Sequence, residues 1–314
     1  GAAGGFGGGN GNAAGDALAG GGGGAGLGGA IFVQEGGQLA FNGTLTISGN
    51  TAQGGNAGST TSTGGQGHGS GLFLHGSGEF TVAPAIGETQ TIQDTIADQK
   101  GVSGSGGSWT LDKQGAGTTI LLGFDNAYSG GIKIKAGTLQ GHSGSLLGNI
   151  ASTGGTIVFD QRLDGTYAGN MTGAGAFTKT GLNTLKLTGN NTYSGATTVT
   201  GGTLLLTSAT SLSGPGGVIT LNNGTIGRSD DLTLGPATVI DRAVTLVNDG
   251  GFVVQSVRNE LTVSSVIDGG GRLVKSGVGT LVLTGTNTYS GGTVVNGGLV
   301  SFATDANLGA AGTG

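Results

Sequence analysis

From about Thr110 onward the apolar residues alternate with polar ones in short bursts, as in Leu185/Leu187 and Leu281/Leu283. Each burst runs about four to six residues before a cluster of Gly, Asn or Asp ends it, which is the period and length of a β-strand with one buried face. No window of eleven or more residues carries helical spacing. Glycine is also too frequent for helix interiors, where each costs about 1 kcal/mol relative to alanine. The pattern predicts an all-β chain with almost no helix.

Three stretches repeat one another. The first contains Trp109-Thr110-Leu111-Asp112-Lys113, Thr119-Ile120-Leu121-Leu122-Gly123, Tyr128-Ser129-Gly130-Gly131 and Gly137-Thr138-Leu139. The second contains Phe177-Thr178-Lys179, Thr184-Leu185-Lys186-Leu187-Thr188-Gly189, Asn191-Thr192-Tyr193-Ser194-Gly195 and Gly202-Thr203-Leu204. The third contains Leu273-Val274-Lys275, Thr280-Leu281-Val282-Leu283-Thr284-Gly285, Asn287-Thr288-Tyr289-Ser290-Gly291 and Gly298-Leu299-Val300. Short strands at such spacing fit a sandwich, a barrel or a solenoid, and the repeat length decides among them. Three short strands with their turns make one solenoid coil of roughly 20 to 25 residues, and each repeat spans slightly more than that. The expected fold is a right-handed parallel β-helix, with Leu and Val ladders inside and Thr, Ser and Asn outside.

Upstream, Ala30-Ile31-Phe32-Val33 and Leu39 match Gly71-Leu72-Phe73-Leu74 and Phe80 at a shift of 41 residues, read as about two coils. Residues 1–29 are glycine-rich and fit either a flexible linker or the tight turns of thin first coils. The expected division is therefore a glycine-rich segment at 1–29, glycine-rich coils at 30–100, and a β-helix at 101–314. The last of these holds the repeats at about 105–148, 173–213 and 269–309.

These residues resemble the passenger-associated transport repeat of Gram-negative autotransporters. The third copy carries its pattern in Gly271, Leu273, Lys275, Gly277, Gly279, Thr280, Leu281, Leu283, Gly285, Asn287, Tyr289, Gly291, Thr293, Val295, Gly298 and Leu299. The second carries it with Phe177 at the first apolar position, and the first more loosely through Trp109, Lys113, Asn126, Tyr128 and Gly130. The glycine-rich front is similar to segments of polymorphic outer-membrane proteins, but departs from their F-x-x-N pattern. The resemblance implies a β-helical passenger exported through the inner membrane and then through a C-terminal outer-membrane β-barrel of the same precursor, outside these residues. It also implies that the repeat assists export by folding progressively outside the cell.

Composition narrows the chemistry. With 76 glycines but only 3 prolines in 314 residues, collagen is excluded, and the dense Val, Ile, Leu and Thr argue against disorder. There is no cysteine, so neither disulfides nor thiolate metal sites hold the fold. A net charge of -5 with scattered Lys and Arg offers no basic stripe for nucleic acid. No apolar run approaches a membrane span, and no signal peptide is visible.

Candidate chemistry is thin. No serine sits in G-x-S-x-G, and a Ser/His/Asp arrangement would have to use His68, His75 or His142. Of these, His142 beside Ser143 reads better as a polar residue between coils than as a base. Polysaccharide cleavage would need paired carboxylates from Asp94/Asp98, Asp160/Asp164, Asp230/Asp231 or Asp241, which read better as turn residues bonding local N–H groups. The single acid in residues 1–29, Asp16, leaves no calcium-binding register. Matches to G-x-G-x-x-G follow from glycine abundance alone and lack the Lys-Ser/Thr of a nucleotide loop. Tyr128, Tyr193 and Tyr289 could stack on sugars, but their common frame argues for packing, as does the exchange among Trp109, Phe177 and Leu273 at one position.

The chain is thus expected to have no catalytic, cofactor or metal site. The leading expectation is a stalk or adhesin at the cell surface, contacting host molecules, neighbouring cells or itself through many weak contacts along its flank. A carbohydrate-active β-helix and a receptor-binding toxin or signalling passenger are the alternatives. Uncapped ends at Gly1 and Gly314 suggest that further chain continues the helix.

Overall fold

The computed structural model describes residues 24–57, 64–212, 217–229 and 238–310. Nearly all regular structure is parallel strand, the arrangement expected for a β-helix. The chain forms two compact units, residues 1–133 with 144–147 and residues 134–143 with 148–314.

In the first unit three coils supply three strands each. Ile31–Val33, Leu72–Leu74 and Ile96–Asp98 stack in one sheet, with Ile31 over Leu72 and Leu72 over Ile96. Leu39–Asn42, Gly78–Ala83 and Trp109–Lys113 stack in the next, aligning Leu39, Phe80 and Leu111. Leu45–Ile47, Thr89–Ile92 and Thr118–Leu121 complete the coils, aligning Ile47, Ile92 and Leu121. Phe80, Leu111, Ile92 and Leu121 are essentially inaccessible. Each such side chain contributes roughly 1.5–3 kcal/mol by leaving water.

The 41-residue shift corrects one expectation, because Ile31 pairs directly with Leu72 and the shift is a single step between neighbouring coils. The described part of the extra length, around Gly55 and Gly65, lies against the chain before the first coil. Gly26 and Leu27 pair with Gly67 and His68, Gly55 N–H donates to Gly24 O at 2.7 Å, and Gly65 N–H to Gly55 O at 2.8 Å. Backbones approach so closely that a Cβ on Gly65 would lie 1.9 Å from Gly24 O, and one on Gly67 1.8 Å from Ala52 O. Glycine is required there by contact, since any side chain would displace backbone. Residues 1–23, the greater part of the segment read as linker or thin coils, lie outside the described residues.

In the second unit one run of seven stacked strands is Thr138–Gly141, Thr156–Asp160, Ala176–Thr180, Thr197–Val199, Ile219–Leu221, Val244–Leu246 and Ile267–Gly269. A second run goes from Gly165–Tyr167 through Thr184–Leu187 and Thr203–Leu206 to Leu273–Ser276 and Thr293–Val295. A third holds Thr238–Ile240, Glu260–Val263, Thr280–Leu283 and Leu299–Phe302. Inward positions form continuous columns such as Leu185, Leu204, Ile226 and Phe252. Outward positions form polar ones, with Thr178, Thr198, Thr220 and Thr245 in register.

Each of the last two repeats is two strands of one coil followed by the two strands stacked on them. In the second copy Phe177 pairs with Thr197 and Leu185 with Leu204; in the third Leu273 pairs with Thr293 and Leu281 with Val300. The coil is thus about twenty residues long within a repeat. The lysine strand of the third copy stands in a different sheet from that of the second, so the motif specifies a junction between coils and not one face of the helix.

Candidate functional site: the coil clasp of the repeat

The invariant lysine points inward. Lys113, Lys179 and Lys275 all have 0% exposure, which is unusual for an ammonium group and demands compensation. Lys179 Nζ donates to the carbonyls of Thr180 (2.8 Å), Gly181 (2.9 Å) and Gly201 (3.2 Å). Lys275 Nζ donates to Ser276 (2.7 Å), Gly277 (2.9 Å) and Gly297 (3.0 Å). All three ammonium donors are used, two by the turn that follows the lysine and one by the next coil. The turn can aim its carbonyls this way because Gly181 and Gly277 adopt φ of 76° and 73°, where a side chain is strained. Lys113 makes the same pair of bonds to Gln114 and Gly115.

Carbonyl dipoles thus accept all three ammonium hydrogen bonds of Lys179 and of Lys275. Burial pushes Lys113 and Lys179 down to about 8 and lowers Lys275 as well, with Asp160 and Asp164 opposing the shift at Lys179.

The repeat's asparagine joins coils on either side of it. Asn191 Oδ1 accepts from Met171 N–H at 2.8 Å while its Nδ2 donates to Ser211 O at 2.7 Å. Asn287 accepts from Ile267 N–H at 2.8 Å and donates to Asn307 O at 2.5 Å, and Asn126 accepts from Ile96 N–H and donates to Ser145 O. Two residues on, the tyrosine ring is buried in all three copies. Tyr193 and Tyr289 share short hydroxyl bonds with Thr197 (2.7 Å) and Thr293 (2.6 Å). Tyr128, followed by no such threonine, donates to Ser145 O and accepts from Leu147 N–H. Burial pushes Tyr193 up to about 12 and raises Tyr128 and Tyr289. The rings are therefore packing elements with satisfied hydroxyls and are not available to stack on a ligand.

The candidate acids are placed at local tasks. Asp94 accepts from the N–H groups of Gly49 and Asn50, and Asp164 from Thr184 N–H. Asp98 is buried and takes the N–H groups of Gly101, Trp109 and Ser129 together with the Ser129 hydroxyl, anchoring the short helix Gln99–Ser103. Asp160 bonds Arg162 and Thr180, and Asp241 is exposed. Asp230 and Asp231 lie outside the described residues. His142 is buried beside the end of Thr138–Gly141, and burial lowers the pKa of His68. Among the described residues no group of three or more His, Asp or Glu could hold a metal ion.

Sequence reasoning identified the recurrent Lys, Asn and Tyr but not their bonding. It read Asp98 as a turn residue without its distant partners Trp109 and Ser129, and it missed Arg242, whose guanidinium lies over the Tyr193 ring and donates to Thr197 Oγ1 and Tyr193 O.

The passenger-associated transport repeat matches residues 111–140, 177–206 and 273–301. A protein described as Adhesin BmaC autotransporter, from Brucella suis biovar 1 (strain 1330), is 33% identical over 323 residues, covering 85% of this chain. The chain spans 9% of that relative's length. No solved structure matches it. The chain belongs to the passenger region of an autotransporter. As such it is displayed at the surface of a Gram-negative bacterium.

Proposed function

We propose that this segment is part of an adhesive stalk, which binds through its flanks and performs no chemistry. The observation that carries the reading is the in-register outward column Thr178, Thr198, Thr220 and Thr245, repeated at the strand spacing of about 4.8 Å. Such a column offers like groups at regular intervals, so weak contacts add through multivalency. The adhesin name of the relative supports the same reading. The partners are molecules of a host or neighbouring cell, or a second copy of the chain, and nucleic acid is not among them. A C-terminal outer-membrane β-barrel of the same precursor delivers the stalk, and the clasps keep its coils stacked. Use of the candidate acids in turns and caps supports a non-enzymatic role.

Beads coated with the purified chain should adhere to host cells more than beads coated with a heat-unfolded control, without releasing oligosaccharides from a polysaccharide panel. Equal adhesion by both coatings, or released product, would reject the proposal.

A further inference from the structure

One flank of the second unit is a lattice of small uncharged groups. Four consecutive strands of one sheet, Ala176–Thr180, Thr197–Val199, Ile219–Leu221 and Val244–Leu246, hold Thr178, Thr198, Thr220 and Thr245 in register on the outside. Two residues further along each strand, the same register sets Thr180, Thr200 and Asn222 side by side. Two residues before, it sets Ala176, Ala196, Val218 and Ala243 in a third row. None of these side chains is charged. Thr156–Asp160 and Ile267–Gly269 pair with the two edges, so the flank lies within the sheet and its exposure does not follow from an end of the chain.

The hydroxyls of the central row are free for water. Thr178, Thr198, Thr220 and Thr245 are half-buried, and among the described residues none of their hydroxyls bonds to protein. In the next row Thr180 donates to Asp160 Oδ1 at 3.3 Å and Thr200 to Lys179 O at 3.5 Å, which leaves each oxygen able to accept from water. Neighbours within a row are about 4.8 Å apart, and two residues of strand rise put the rows about 6.6 Å apart. Ladders of like side chains keep such a stacked sheet flat.

We infer that this flank binds the surface of ice. Oxygens on the prism face of hexagonal ice repeat at intervals close to both spacings, so water held at one threonine stands in lattice register with water held at the next. Each hydroxyl anchors a water and each methyl confines it, while the Ala and Val row extends the apolar strip. A charged group would impose a hydration shell foreign to the lattice, and the rows contain none. Regular repetition in two directions selects a crystal face over a single dissolved molecule. The inference goes beyond the adhesive reading, which needs only contacts to molecules.

The test grows ice slowly from a solution of the fluorescently labelled chain mixed with differently labelled serum albumin, and compares the two dyes in the ice. The chain should enter the ice while the albumin stays in the liquid. Thr198→Tyr, which raises a ring from the middle of the flank, should cut entry about tenfold, because contacts summed over a lattice fail together once the surfaces are held apart. Thr220→Lys, a gentler change that puts a charge in the same row, should lower entry as well, with hydrogen exchange at Val199 checking that the coils persist. Thr166→Tyr, exposed in another sheet, should leave entry unchanged. Exclusion of the chain along with the albumin would overturn the inference, as would equal entry by the unsubstituted chain, Thr198→Tyr and Thr220→Lys. Exclusion accompanied by self-association that Thr198→Tyr abolishes would assign the flank to a second copy instead. The bead assay is run without ice, so either proposal can fail with the other standing.

Discussion

The glycine-rich segments around Gly26, Gly55 and Gly65 and the repeat at 177–206 both have to satisfy backbone groups between neighbouring lengths of chain, and they do it by opposite means. In the first, side chains are absent and the backbones touch, so hydrogen bonds run directly from Gly55 to Gly24 and from Gly65 to Gly55. In the second, ladders of Leu and Val fill the interior, and the irregular corners between strands are closed by Lys179 and Asn191. Backbone contact fails when a single methyl is added. A side-chain clasp fails when a single donor is removed. The comparison teaches that glycine excess here is a packing solution, whereas the repeat's polar residues are core residues.

The largest effect should come from Lys179→Met, which keeps the apolar stem but takes the ammonium donor from the carbonyls of Thr180, Gly181 and Gly201, of which Thr180 O keeps the Gln161 N–H. With about 1–3 kcal/mol for each buried group left unsatisfied, a loss near 4 kcal/mol is expected after relaxation. A stack of coils need not unfold in one step, so the fitting measurement is hydrogen exchange across residues 171–206 rather than a single melting temperature. Unchanged protection at Val199 and Leu204 would show that the cage is incidental.

Gly67→Ala attacks the other region. The added Cβ would meet Ala52 O at 1.8 Å, and the backbone must separate. A local loss of about 3 kcal/mol is expected, typical of severe overpacking. Exchange should rise at Gly26, Gly28 and Ala30, with the repeats untouched. If protection in 177–206 fell as well, the two means of closure would not be independent.

Asn191→Ala removes both the acceptor for Met171 N–H and the donor to Ser211 O, for about 2 kcal/mol. The Met171 amide should lose protection first, and protection equal to that of the unsubstituted chain would remove Asn191 from the clasp.

How much of this was legible beforehand follows from what each feature leaves in a sequence. Alternation such as Leu185/Leu187 reports which side of a strand is buried, so the all-β solenoid could be read directly. The threefold recurrence of Lys, Asn and Tyr marked a motif, and buried Tyr193 and Tyr289 agree with the packing reading. That the lysine is buried was hidden, because a cation's usual place is solvent and its acceptors are backbone carbonyls, which have no letter in the sequence. The 41-residue shift was misread because length alone does not distinguish two coils from one coil with an excursion. Asp98 gathers partners from residues 101, 109 and 129, and only the folded chain brings them together.

The smallest effect concerns the charge on the clasp. Burial sets Lys179 at about 8 in the folded chain against an ordinary 10.5, so between those values the unfolded chain binds more protons than the folded one. Stability therefore rises with pH across that window, is at its lowest plateau below it, and levels off once both states are neutral. Lys113 has the same sign and the same window. The gain is limited because a neutral amine has two donors for the three carbonyls around Lys179. Urea midpoints of the chain and of Lys179→Met, followed between pH 8 and 10, should draw apart, with the unsubstituted chain gaining more. Parallel curves would mean that Lys179 keeps its proton throughout, and that the carbonyl cage outweighs desolvation.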